Sequence, residues 1–377
     1  MTVEDVLARV QALAEEFAAD RVRRQSAPGL SAEDTAALAE TGFHRLLVPR
    51  RFGGFWESAR RSTRPVAEAI SVLAAGDSSL ALILAMEPVA LYLAGWIADV
   101  GEDVADDEWR AQRERYFKGL VENGECWGVL LSERGGGVRT TATPNPDGTW
   151  SLVGEKTSGS GWNLVSFMLT VAIPEGESEP EAFVLDLRDK ENLDGVRITR
   201  SWDGSGMTSS SSHAIRLEGM RAERVGWPDR VGYVTGGLCD PIAASRLAPF
   251  AGIVRAALVE AQRRIAAKGG VRGAFERVEW ARAQADAWLV GEAFEGILRA
   301  TEQSGSTAEF DRQAKLAKLA MSELADTAVH RITRALGASA YSRDSPFGWW
   351  QADVRALPLI RPSLASTVDG LDGEAAA

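Results

Sequence analysis

The chain has 377 residues and carries 53 Asp and Glu against 42 Lys and Arg, a formal net charge of −11. That length can bury a large core without staples and allows two or three domains. The acidic balance excludes a nucleic-acid surface, and the two cysteines, Cys126 and Cys239, are too few for a disulfide framework and fit reduced thiols in the cytoplasm.

The first segment reads as a helix. Val3, Val6, Leu7, Val10, Leu13 and Phe17 follow helical spacing among acidic residues, where a signal peptide would need a continuous apolar run. Ser31 and Asp34 stand at capping-box spacing ahead of Leu38 and the Thr41-Gly42 stop. Asp77-Ser78-Ser79 opens an apolar stretch, residues 80–97, with a single charge. Its length fits a membrane span. But Glu87-Pro88 sits in the middle, where a charge is costly and proline breaks the helical ladder. The expectation is a buried helix ending near Glu87, followed by a second.

Beyond residue 126 the pattern changes. Short apolar or β-branched runs alternate with turn residues, and Asn145-Pro-Asp-Gly148 marks a hairpin. This predicts a small antiparallel β domain of about six strands. From residue 243 onward three long helical stretches, about 243–268, 275–302 and 307–336, are separated by short loops, which predicts an up-down bundle. The fold class expected is α+β, mostly α: an N-terminal helical domain over 1–122, a β-barrel-like middle domain over 123–232, and a C-terminal four-helix bundle over 233–377. No Gly-x-Gly-x-x-Gly follows a strand and no phosphate-binding Gly-Lys-Ser/Thr loop is present. Any cofactor would sit in a crevice between layers.

Several ordered pieces resemble the acyl-CoA dehydrogenase superfamily. They are Thr41-Gly-Phe-His-Arg-Leu-Leu-Val-Pro49 with Gly53-Gly54, Leu131-Ser-Glu-Arg-Gly-Gly-Gly137, Thr140-Thr-Ala142, the turn Asp147-Gly148, Gly154-Glu-Lys156, Gly206-Met207 with the serines 209–212, Arg272-x-x-Phe275, Gly337-Ala338 and Asp353-Val-Arg355. The resemblance covers nearly the whole chain. It implies a flavin enzyme, a homodimer or homotetramer, with FAD, or FMN in a monooxygenase, between the β domain and the bundle. It places Leu131, Ser132, Gly137, Ser158 and Ser160 at the isoalloxazine side, and Arg272, Phe275 and Gly337 toward the rest of the cofactor across a subunit interface. Glycines and hydroxyls of this kind let backbone N–H groups approach an electron-rich ring and tune it.

Two departures bear on activity. The superfamily's catalytic glutamate, counted from Asp353, falls on Arg361, whose guanidinium cannot act as a base at neutral pH. The alternative position of that glutamate, aligned through Gly252, falls on Ile242, with Asp240 the nearest carboxylate. The segment after Arg272 is also shortened, which resembles the flavin monooxygenase branch. Glu87 stands out on physical grounds, because a carboxyl among apolar residues must be paired, protonated or facing a cavity. Glu87, Asp240 and Arg361 are therefore the catalytic candidates. His44, His213 and His330 lie far apart in sequence, so neither a His/Cys metal site nor a Ser-His-Asp triad is expected, and each reads as structural.

Three activities follow from the resemblance. The leading one is α,β-dehydrogenation of an acyl thioester or related small molecule, with an electron-transfer flavoprotein as the acceptor. The second is a two-component monooxygenase fed with reduced flavin by a separate reductase. The third is a catalytically silent subunit of a heteromer. No nucleic-acid or membrane partner is expected.

Overall fold

The computed structural model describes residues 1–98, 106–135, 137–226, 242–271, 273–304, 308–359 and 363–375. The chain begins with helices α1 (Val3–Ala19), α2 (Arg21–Ser26), α3 (Ala32–Thr41), α4 (Ala59–Gly76), α5 (Ser78–Leu84), α6 (Glu87–Leu93) and α7 (Asp107–Asn123), with a 3-10 turn over Phe43–Leu47. Local chemistry sets their ends. Thr2 and Asp5 form a capping box at α1, whose Val6, Val10, Leu13 and Phe17 are buried. Ser31 and Asp34 form the predicted box at α3, and Gly42 closes it at a φ of 82°. Asp77 caps α5 by accepting from Leu80 N–H at 2.8 Å. The apolar stretch breaks in two, as expected. Ala85 and Met86 separate α5 from α6, and Pro88 is tolerated there because the first-turn N–H has no helical partner to lose.

Seven strands follow: β1 (Trp127–Leu130), β2 (Thr141–Pro144), β3 (Trp150–Gly159), β4 (Phe167–Pro174), β5 (Glu181–Asp186), β6 (Val196–Arg200) and β7 (His213–Arg224). β4, β2, β3, β7 and β5 close into a ring, with β1 added beside β4 and β6 beside β7. The expectation of an antiparallel domain needs correction. β1 pairs with β4 in parallel, Trp127 opposite Phe167, and β2 pairs with the end of β4 in parallel, Thr141 opposite Ile173. β4 is thus bonded along both edges and buried along nearly its whole length, which suits its continuous apolar run. Leu130, Leu152, Met168, Phe183, Ile215 and Leu217 fill the interior.

The bundle is α8 (Ala243–Ala267), α9 (Ala274–Ser304) and α10 (Ala308–Leu336), with α11 (Phe347–Ala356) and α12 (Leu364–Ala375) packed on α10. α4 packs across α8 and α9, so the N-terminal helices and the bundle share one core. Asp353 on α11 ties three regions together. It accepts from the Ser78 hydroxyl at the start of α5 and from Met207 N–H, at 2.6 Å, in the loop before β7. Gly206 closes the same contact: a Cβ there would lie 2.3 Å from the Ala352 carbonyl oxygen, so only glycine lets the loop reach α11. Arg24 adds a second tie, donating to Asp77 at 2.8 Å and Asp34 at 2.6 Å, while its carbonyl accepts from Ser209. No described helix is long and apolar enough to cross a membrane.

Candidate active site

The glycine-rich loop leaves the C-terminal end of β1. Leu131 and Ser132 are half-buried, and Gly137 is exposed with a φ of 72° and open space where a Cβ would stand. The end of β3 lies beside it. Thr157 N–H donates to the Ser132 carbonyl at 2.7 Å, which brings exposed Ser158 and half-buried Ser160 next to the loop. Ser160 shares a hydrogen bond of 2.8 Å with Ser212, and Ser212 shares one of 2.8 Å with Ser210. The turn after Ser160 packs tightly on α5, since a Cβ on Gly161 would lie 2.8 Å from Ile83 Cγ2. So Leu131, Ser132, Ser158 and Ser160 come together on one rim of the barrel, and Gly137 lies in the exposed loop that leaves it.

Glu133 and Lys156 hold this rim, and the sequence reading did not single them out as site residues. Both are buried. Lys156 Nζ donates to Glu133 Oε1 at 2.6 Å and to the Val171 carbonyl at 2.8 Å. The Thr140 hydroxyl donates to Oε1 and Arg139 N–H to Oε2, each at 2.7 Å. Burial pushes the Glu133 carboxyl up, but these donors and the lysine charge hold it below its usual range. The loop is therefore pinned between its first and last residues. The signal was present as Ser132-Glu133 and Gly154-Glu-Lys156.

Next to Ser212, His213 is held as a neutral base. Trp202 N–H donates to its Nδ1 at 2.9 Å, the Asn163 side-chain amide lies 3.5 Å from its Nε2, and burial lowers its pKa.

Phe275 and Gly337 lie elsewhere, at one end of the bundle. The Arg334 guanidinium covers the exposed Phe275 ring at 4.8 Å, and Lys268 donates to the Leu336 carbonyl beside Gly337. Their helices α9 and α10 pack chiefly on one another and on α8. The rim serines and this end are thus two separate clusters within one chain. Asp240, Arg272 and Arg361 lie outside the described residues.

Glu87 is fully buried at 0% exposure, and its carboxyl does not open onto solvent. His44 Nδ1 donates to its Oε1 at 2.8 Å, and His44 Nε2 lies 3.6 Å from Cys126 Sγ. His44 and Cys126 are each 2% exposed. Burial, the largest single influence, would lower the imidazole pKa; the Glu87 carboxylate and the Cys126 sulfur together outweigh it and raise His44 well above the usual range. Burial pushes the Cys126 thiol up. Cys126 immediately precedes β1, whereas the glycine-rich loop follows β1, a separation of about 16 Å at strand spacing. The expectation that the histidines and cysteines stand apart is corrected here: chain folding brings His44 to Cys126 across 82 residues.

An open groove of about 800 Å³ between α7 and the strands is a poor alternative site. Its charges answer one another, Arg115 with Glu223 and Arg188 with Glu125.

The comparison with known folds turns on this arrangement of helices, ring of strands and bundle. Butyryl-CoA dehydrogenase from Megasphaera elsdenii superposes with a TM-score of 0.81 over 100% of this chain and 99% of that one, at 18% identity. The chain has the acyl-CoA dehydrogenase fold. FMN-bound TdsC from Paenibacillus sp. A11-2, a dibenzothiophene monooxygenase, shares it with a TM-score of 0.80 over 98% of this chain and 96% of its own, at 21% identity. In sequence, a dibenzothiophene monooxygenase of Rhodococcus qingshengii is 26% identical over 306 residues. That match takes in 79% of this chain and 66% of the relative, just under two thirds of its length. No protein-family model matches the chain. Within the fold, the rim formed by Ser132, Ser158 and Ser160 fits a flavin: a hydroxyl-bearing edge, an open glycine position and a pinned loop stand side by side.

Proposed function

We propose that the chain is the oxygenase component of a two-component flavin-dependent monooxygenase, acting on a small molecule with reduced FMN supplied by a separate reductase. The observation that carries the reading is the sequence match to dibenzothiophene monooxygenase across 79% of the chain. It displaces acyl thioester dehydrogenation as the preferred activity. Dehydrogenation needs a carboxylate at the reacting carbon. Glu87, the one described candidate for that base, is fully buried and sealed against His44.

Reduced flavin, when bound, would supply the two electrons that activate O2. The chain's own part is to bind, orient and keep the site dry. Ser132, Ser158 and Ser160 would donate or accept at the ring edge, and the Gly137 N–H would approach it without a side chain in the way. The bonds to Ser212 and Ser210 would fix the direction of the Ser160 hydroxyl. Ile83, Trp162 and Val165 would keep water from the side of the turn at Gly161. Arg361 would hold an anionic or carbonyl group of the substrate, a role open to a guanidinium but not that of a base. Phe275, Gly337 and Arg272 would meet the cofactor of a second subunit in a homodimer or homotetramer.

The test supplies FMN, a flavin reductase, NADH and isotopically labelled O2, with dibenzothiophene as the probe substrate. Label in the product supports the reading. Bound flavin that bleaches anaerobically with an acyl thioester overturns it in favour of dehydrogenation. Failure to bind oxidised or reduced flavin points to a silent subunit. Gly137→Val places a side chain in the open position and should weaken flavin binding at least tenfold; unchanged binding would move the flavin off this rim.

A further inference from the structure

Glu87, His44 and Cys126 bring together three side chains from separate elements: the first residue of α6, the 3-10 turn Phe43–Leu47 and the residue before β1. A carboxylate, an imidazole and a thiol are the side chains that borderline-soft divalent metals take. One ligand atom from each lies within 4.8 Å of the other two, and all three residues are buried. The ion pair between His44 and Glu87 leaves the cluster incomplete. Glu87 Oε2 is buried and has no hydrogen-bond partner among the described residues, a condition that buried carboxylates rarely keep. Among the described residues Cys126 Sγ makes long contacts, 3.6 Å to His44 Nε2 and 3.8 Å to the Gly124 carbonyl.

We propose that His44, Glu87 and Cys126 bind one divalent transition-metal ion of the zinc class, at a structural site separate from the candidate flavin rim. Zinc-to-ligand lengths of about 2.0 Å for nitrogen, 2.1 Å for oxygen and 2.3 Å for sulfur put neighbouring corners of a tetrahedron roughly 3.3–3.6 Å apart. The 3.6 Å sulfur contact runs to Nε2, whereas Glu87 meets Nδ1; a metal takes one nitrogen only, so the ring has to turn until the sulfur stands about 3.5 Å from Nδ1. The 2.8 Å contact between His44 and Glu87 needs to open by about half an ångström as the metal replaces the proton between them. The Gly124 carbonyl or a trapped water takes the fourth corner. Two protons leave, one from the thiol and one from between His44 and Glu87, as one doubly charged ion enters. The buried cluster is neutral before and after, so no net charge is added to the core. The ion joins the 3-10 turn, α6 and β1, and its role is to hold the N-terminal helices against the barrel.

The test uses the full chain, stripped with a chelator and then titrated with Zn²⁺, with Co²⁺ as the spectroscopic probe. One zinc per chain retained through dialysis, a thiolate-to-cobalt charge-transfer absorption and a zinc-dependent rise in Tm are expected. Cys126→Ser, with circular dichroism confirming its fold, should lose the charge-transfer absorption and retain zinc at least tenfold more weakly. Glu87→Gln should keep the absorption and weaken zinc at least tenfold, since changing an outer partner of a ligand alone costs about 10–100-fold. A folded protein that retains no zinc overturns the proposal. So does a charge-transfer absorption that survives Cys126→Ser and disappears in Cys239→Ser.

Discussion

Glu133 and Glu87 are both buried carboxylates set beside β1, one just after its end and the other packed against its start. Their surroundings differ in what they supply. Glu133 accepts from an ammonium, a hydroxyl and a backbone N–H, with both oxygens engaged. Glu87 accepts from one imidazole, and its second oxygen has no partner among the described residues. The first is what a framework element needs: every lone pair that matters is met, and the loop it belongs to has one shape. The second leaves coordinating capacity unspent in the interior. Burial alone therefore says little about the role of a carboxylate; the inventory of donors around it says more. Asp353 lies between the two, with two neutral donors and no cation among them.

The sharpest break of the comparison is at Lys156. Lys156→Met keeps the stem and removes the charge, leaving Glu133 ionised in a dry site. Removing one partner of a buried pair costs about 3–5 kcal/mol, and the urea midpoint should fall accordingly. The double variant Lys156→Met with Glu133→Gln should regain most of that loss, because no charge is then left unpaired. A single variant that loses under about 1 kcal/mol would mean that Thr140 and Arg139 suffice, and the contrast with Glu87 would lose its basis.

Asp353 tests whether donors without a cation are enough. Burial raises its pKa from 3.8 to about 6, with Asp77 adding to the rise and with Ser78 and Met207 N–H opposing it. The native state therefore holds a proton that the unfolded chain has already released between about pH 4 and 6. Stability from this group is present below about pH 4, falls as pH rises through that window, and stays lower by about 3 kcal/mol above it. Asp353→Asn removes the titration. Its stability relative to the parent should climb between pH 4 and 7, read from paired urea unfolding curves. A difference that stays flat across that range would show that the two donors already keep Asp353 ionised.

Much of this architecture could be read before folding. Helix α1 announced itself in the spacing of Val6, Val10, Leu13 and Phe17, α3 in its Ser31 and Asp34 cap, and the β2–β3 hairpin in Asn145-Pro-Asp-Gly148. These are local signals, carried within one or two turns of chain. The parallel placement of β4 beside β1 and β2 was not legible, because strand composition does not record which neighbour a strand selects. Motif order singled out the serines that the structure gathers beside the glycine-rich loop, yet it did not single out the Glu133 and Lys156 pair that pins that loop, although both residues lay inside quoted motifs. Glu87 could be singled out by its apolar context. Its partners could not: His44 is 43 residues away in the chain and sits in a segment that reads as ordinary packing.

The smallest expected effect is at Glu87, and it separates the two carboxylates on function as well as on stability. Glu87→Gln preserves shape and leaves a group that can still accept from His44. Histidine, unlike lysine, sheds its proton near neutral pH, so no buried charge is stranded when the carboxylate goes. The stability loss should be about 1–3 kcal/mol, the range for a weakened buried hydrogen bond, and below that of Lys156→Met. Turnover should stay within about twofold of the parent at saturating flavin and substrate, because the Glu87 carboxyl is sealed in the interior against His44. A general acid or base would instead cost about 100-fold or more. Steady-state rates of the folded variant with reductase, FMN and a verified substrate decide the matter. A hundredfold loss with native stability would return Glu87 to the catalytic site, and the separation drawn between the two ends of β1 would fail with it.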